Sequence, residues 1–152
     1  MRNSNILVGR LSKDPKVKKT NSGTSYLQFT LIVERDYKKN GKKEIDPIPC
    51  IAWREKAESM EKYLRRGSLI DISGRLQTRT YMKGNQRVFV VEVIAEDYHI
   101  LESKAVTDQR AARRAAQENG NQNAPYETES GSYDPFGFGE EPIEITDDDV
   151  PF

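Results

Sequence analysis

Cysteine, histidine and long apolar runs are scarce in this chain. Of its 152 residues one is cysteine, Cys50, and one is histidine, His99. A single cysteine excludes an intramolecular disulfide and a cysteine-based zinc site, and it points to a reducing, cytoplasmic setting. His99 has no second histidine, no cysteine partner and no glycine-rich phosphate loop beside it, so no catalytic constellation can be assembled. Such a histidine is usually structural or at the surface. Cys50, between Pro49 and Ile51, reads as a small buried hydrophobe. No stretch approaches the roughly 18 apolar residues that a membrane span needs, and the opening segment lacks the apolar heart of a secretory signal. The chain therefore reads as a soluble binding protein, not an enzyme, with no cofactor or metal.

Net charge is also missing, at 24 Lys and Arg against 24 Asp and Glu, but the average hides a division. Residues 1–104 hold 21 cations against 13 acids, whereas residues 105–152 hold 3 against 11. A basic domain joined to an acidic tail is a charge pattern of nucleic-acid binding.

Alternation of apolar and polar residues dominates the first hundred positions and predicts strands. A first strand covers Asn5 to Leu11. A second covers Tyr26 to Arg35, with Leu27, Phe29, Leu31 and Val33 on one face. Asn40-Gly41 is a strong hairpin signal, because both central positions of a type I′ turn need positive φ. A third strand then runs from Glu44 to Trp53. From Arg54 to Arg66 the period becomes helical, with Ala57, Met60, Tyr63 and Leu64 on one face and Gly67 at the C′ position. A fourth strand covers Ser68 to Tyr81, with Gly74 placed for a bulge, and a fifth runs from Arg87 to about Leu101. This order predicts an all-β fold, a five-stranded OB barrel with one short helix between strands 3 and 4. Past Lys104 the pattern dissolves. Residues 105–145 read as a disordered linker, with a transient helix at most over Ala105 to Gln117, and residues 146–152 as an acidic tip.

Binding a single strand without sequence preference needs cations for phosphates and aromatic faces for bases. Both occur together twice. One hairpin carries Tyr37 with Lys38, Lys39, Lys42 and Lys43; the other carries Arg79, Tyr81, Lys83 and Arg87. A lone lysine-rich hairpin is more simply a solvated tip, but two with the same pairing favour nucleic acid. Trp53 fits a stacking ring and a core tryptophan equally well. RNA remains an alternative ligand on this reading, since stacking and phosphate tracking do not separate ribose from deoxyribose. So does an adaptor that acts mainly through its tail.

Four blocks carry a resemblance: I-L-V-G-R-L-S-K-D-P from Ile6, Y-L-R-R-G-S from Tyr63, G-R-L-Q-T-R from Gly74, and the final D-D-D-V-P-F. In that order they resemble the bacterial and phage-encoded single-stranded DNA-binding proteins, over residues 1 to about 104 and the last six. The resemblance implies a homotetramer of OB domains that wraps single-stranded DNA. It implies base stacking by Tyr37, Trp53 and Tyr81, and phosphate contacts by Arg66, Arg79 and, less closely, Lys18. It further implies that Asp147, Asp148, Asp149, Val150, Pro151 and Phe152 dock replication, recombination and repair proteins. One departure stands out. A stacking position of the family falls on Pro47, and Pro49 follows, so an interruption of the third strand is expected there.

Overall fold

Strands with one apolar face must bury it, and a sheet that curls until its edges meet buries it against itself. The computed structural model describes residues 1–120. The chain runs β1 (Asn5–Leu11), β2 (Lys18–Lys19), β3 (Ser25–Lys39), β4 (Lys42–Trp53), α1 (Arg54–Tyr63), β5 (Leu69–Lys83), β6 (Gln86–Ile100) and α2 (Lys104–Gly120). The sheet order is β1-β5-β6-β4-β3-β2, and a further pairing of Arg10 with Ile32 and Leu11 with Leu31 joins β1 to β3. That pairing closes the five long strands into a barrel, the expected OB architecture. β4 and β6 alone pair in parallel, over Cys50–Ala52 and Val93–Ala95. The two-residue β2, set against Tyr26 and Ser25, has no alternation to announce it.

The barrel is filled by Leu27, Leu31, Ile70 and Ile72, and α1 closes it from below with Ala57 and Met60. Each aliphatic side chain buried so completely contributes about 1.5–3 kcal/mol. Asn40 and Gly41 both take positive φ, 52° and 76°, as the hairpin demands. Gly74 sits at a bulge between β5 and β6. A Cβ there would lie 1.9 Å from the carbonyl oxygen of Ile94.

Three expectations need correction. First, α1 stops at Tyr63 rather than Arg66, because Leu64 turns to an extended backbone and puts its side chain wholly into the core. Gly67 is therefore not a C′ residue. It serves a separate turn at φ +84°, and its N–H donates to the carbonyl of Leu11 at 2.8 Å. Second, β4 passes through both prolines without a break, with Pro49 opposite Thr30 and Pro47 opposite Ile32. Positions two apart send their backbone nitrogens the same way. β4 pairs with β6 only from Cys50 to Ala52, so both missing N–H groups can face the unpaired edge without cost to the β3 ladder. The register shift lies instead between Glu34 and Lys38.

Third, the segment after Lys104 starts as a helix. α2 begins behind Ser103, whose carbonyl accepts N–H bonds from Val106 and Thr107, and Arg110 pins it to the barrel. Arg110 forks onto Glu102 at 2.8 and 3.0 Å and also donates to the carbonyl of Gly67 at 2.8 Å. Arg10 reaches the same two acceptors, Glu102 at 2.7 Å and Gly67 at 2.9 Å. An alanine- and arginine-rich sequence has high helix propensity, and this anchor supplies the tertiary contact that a short helix needs. The rest of the expected linker and the tip at 146–152 lie outside the described residues.

Hydrogen bonds from Arg110 and Arg10 outweigh burial and hold the Glu102 carboxyl down at about 2, from 4.5. A depressed carboxyl stabilises the fold fully above its unfolded value, and that contribution fades as pH falls toward the folded one. Helicity of α2 is thus expected to decline between pH 4.5 and about 2. The Glu102→Gln variant should already lack that increment at neutral pH. Circular dichroism of the two proteins across this window checks the difference.

Candidate nucleic-acid interface

The β3–β4 hairpin extends past the barrel as an arm, and Arg35 ties its two strands together. Its guanidinium takes both oxygens of Asp46 at 2.6–3.1 Å, Glu44 at 2.6 Å and the hydroxyl of Tyr37 at 2.9 Å. Those bonds hold the Asp46 carboxyl below its usual range and push the Arg35 guanidinium up. The Tyr37 ring lies 5.9 Å from the same guanidinium and stays 57% exposed, so it is fixed and still presented to solvent. Around it Lys38 and Lys42 are exposed, Lys39 lies 3.8 Å from Glu44, and Lys43 bonds Glu34 at 2.8 Å. That last bond raises the Lys43 amine and lowers the Glu34 carboxyl.

Arg35 escaped the sequence reading. Asn40-Gly41 fixes the register only at the hairpin tip, with Lys38 opposite Lys43; the shift between Glu34 and Lys38 then sets Asp46 opposite Val33, which the turn alone does not announce.

The β5–β6 hairpin repeats the device. Arg79 donates to Glu92 at 2.8 Å, with side chains only 7% and 4% exposed, and its guanidinium lies 5.8 Å from the Tyr81 ring. Arg79 is thus committed to a buried ion pair, where removal of one partner would strand a charge. The phosphate contact expected of it falls on an arginine seated between Glu92 and Tyr81. Arg87 is exposed farther along the arm, as is Lys83.

Trp53 joins neither arm. It stands at the β4–α1 junction, buried, with its ring 5.7 Å from that of Tyr26 at an angle of 43°. Its indole N–H meets no acceptor, nor do Gln28 Nε2 and Arg79 Nη2. The residue after it, Arg54, has φ +54°, a left-handed conformation that turns the chain into α1. Tyr26, which covers Trp53, was not singled out from the sequence, since β3 alternation assigns it only to a face. Pro47 is half-buried, while Lys18 and Arg66 are exposed. Among the described residues no group of three or more His, Cys, Asp or Glu side chains could hold a metal ion. No helix among them is long and apolar enough to cross a membrane.

A closed five-stranded barrel with two arms, each displaying a tyrosine against an arginine and beside further cations, has the architecture of the OB class. The chain belongs to the single-strand binding protein family, whose model matches residues 2–101. That family comprises binding proteins, not enzymes. The chain is 40% identical over 154 aligned positions to "Single-stranded DNA-binding protein 1" of Lactococcus lactis, covering the whole of both. It is 41% identical over 156 to the protein of that name from Staphylococcus aureus, and 39% identical over 160 to "Single-stranded DNA-binding protein 2" of Listeria monocytogenes, again over full lengths.

Proposed function

We propose that this chain binds single-stranded DNA with little sequence preference, bases stacking on Tyr37, Tyr81 and Trp53 while the arm cations and Lys18, Arg66 and Arg79 track phosphates. The observation that carries the reading is the repeated arm, an arginine-fixed tyrosine among cations, in a chain whose relatives bear that name. Rings accept any base and cations any phosphate, which gives affinity without a sequence code. A competition of oligo(dT) with oligo(rU) and duplex DNA tests it. Single-stranded DNA should win, and preference for the ribose strand or the duplex would overturn the reading.

The active form in this proposal is a homotetramer. Its support is the apolar surface left open on one chain: Leu76, Met82, Phe89 and Val91 on one face of the β5–β6 arm, and Ile6 and Val8 on β1. Phe89, 66% exposed, is the most open ring of that arm. Phe89→Glu should lower the mass measured by light scattering below that of four chains. The acidic tip Asp147 to Phe152 recruits replication, recombination and repair proteins in the cytoplasm, by apolar insertion of Val150, Pro151 and Phe152 and acidic steering. Removing Phe152 should abolish that recruitment and leave DNA binding intact.

Pro47 withholds one stacking ring. Pro47→Phe is expected to tighten oligo(dT) binding by the worth of one stacked base, about 1–3 kcal/mol. A fluorescence titration that finds unchanged affinity would count against the assignment of position 47 to the DNA face.

A further inference from the structure

Arg110, Arg113 and Arg114 of α2 are spaced to share one side of the helix. That side faces the turn around Gly67. Arg110 donates to the Gly67 carbonyl, and a Cβ on Gly67 would come within 3.3 Å of the Arg114 guanidinium. The same turn exposes Arg65 and Arg66. Its backbone is tied onward, because the N–H of Arg66 donates to Asp14 at 2.8 Å. Asp14 belongs to the loop that carries the exposed Lys13 and Lys16 and leads into the exposed Lys18 and Lys19 of β2. The N–H of Val17, in that loop, donates to Glu61 of α1 at 2.8 Å, beside Lys62. One edge of the domain, from β2 through the turn to α2, is therefore lined with cations.

The acids along this edge are already used. Asp14 and Glu61 accept backbone N–H groups, and Glu102 is shared between Arg10 and Arg110. Asp108 lies on α2 two positions before Arg110, on a different side of the helix. Among the acids of residues 1–117 none forms an ion pair with Arg113 or Arg114. α2, at the end of this edge, lies wholly beyond the residues 2–101 matched by the family model. We propose that the arginine face of α2 carries the DNA strand beyond the barrel, Arg113 and Arg114 taking phosphates that follow those held by Lys18 and Arg66. The proposal rests on the single-stranded DNA reading and extends its path. Charge favours a polyanion, and continuity with the Lys18 and Arg66 contacts favours the same strand over a second ligand.

The test is oligo(dT) binding by the full chain and by its Arg113→Ala/Arg114→Ala variant, at graded salt and graded oligomer length. The variant leaves the Arg10–Glu102–Arg110 anchor intact, and its helicity is verified by circular dichroism. Single strands lose about 0.7 in log affinity per log unit of salt for each phosphate neutralised, so the variant slope should be shallower by about 1.4. Short oligomers should bind both proteins alike, and the gain from added length should shrink in the variant. An unchanged slope with unchanged length dependence overturns the proposal. A rise in variant affinity overturns it too, because the face would then hold a competing acidic segment of the same chain. If the parent protein itself shows no salt dependence, the DNA reading fails rather than this extension of it.

Discussion

Alanine at both Tyr37 and Tyr81 is expected to lower affinity for oligo(dT) by about 2–6 kcal/mol, from two stacked bases at roughly 1–3 kcal/mol each. That is at least a thirtyfold loss. The two positions suit the test because neither ring fills the core. Tyr37 is mostly exposed, and Tyr81 lies over Arg79, whose bond to Glu92 remains when the ring is gone. The barrel should melt near the parent temperature, so the loss can be assigned to the interface. Trp53→Ala is a poorer probe, since that ring is buried against Tyr26 and its removal leaves a cavity as well as a lost contact. Equal affinity of the double variant and the parent would remove both tyrosines from the site.

Gly74→Ala should be the most damaging single change to the fold. The added methyl would meet backbone, with the carbonyl oxygen of Ile94 at 1.9 Å and its carbon at 2.9 Å, and neither can rotate away. Relief requires β5 and β6 to separate at the bulge, where Gly74 pairs with Ala95 and where Val93 and Ala95 enter the core. The cost is expected above about 4 kcal/mol, the range reserved for overpacking and broken core contacts. Gly84→Ala makes a useful contrast, since Gly84 has φ +59° and nothing within 4 Å of its added Cβ. There only the left-handed backbone is penalised, by about 1–2 kcal/mol. Thermal unfolding of the two variants checks the ranking. A Gly74→Ala protein as stable as Gly84→Ala would contradict the close approach of the strands.

The barrel was legible because its signals are local. Asn40-Gly41 sets one turn by backbone conformation, and Leu27, Phe29 and Leu31 mark a core face by period two. Gly74 announced its bulge as a glycine inside a strand. Features decided by distant neighbours were not legible. Leu64 ends α1 because the core takes its side chain, although the helical period continues past it. Pro47 and Pro49 read as a break only until the edge beside them is known to lack a partner strand. α2 depends on Arg10 and Glu102, and Arg10 is a hundred residues away from Arg110 along the chain.

Site residues divide the same way. Tyr37, Tyr81 and the lysines beside them could be found by composition, because a hairpin tip is exposed whatever lies beneath it. The burial of Trp53 under Tyr26, and of Arg79 with Glu92, arises from packing between strands whose sequences show only alternation. Arg35 emerges as the residue that fixes Tyr37 only when the side chains are placed, and Arg79, already found by composition, shows its bond to Glu92 only then.

The central claim is that cations on a barrel track the phosphates of a single DNA strand while rings hold its bases. Anisotropy titration of labelled oligo(dT) across a range of salt concentrations tests it most directly. Log affinity should fall linearly with log salt, by about 0.7 for each phosphate neutralised. Absence of binding, or an affinity that does not change with salt, would contradict the account.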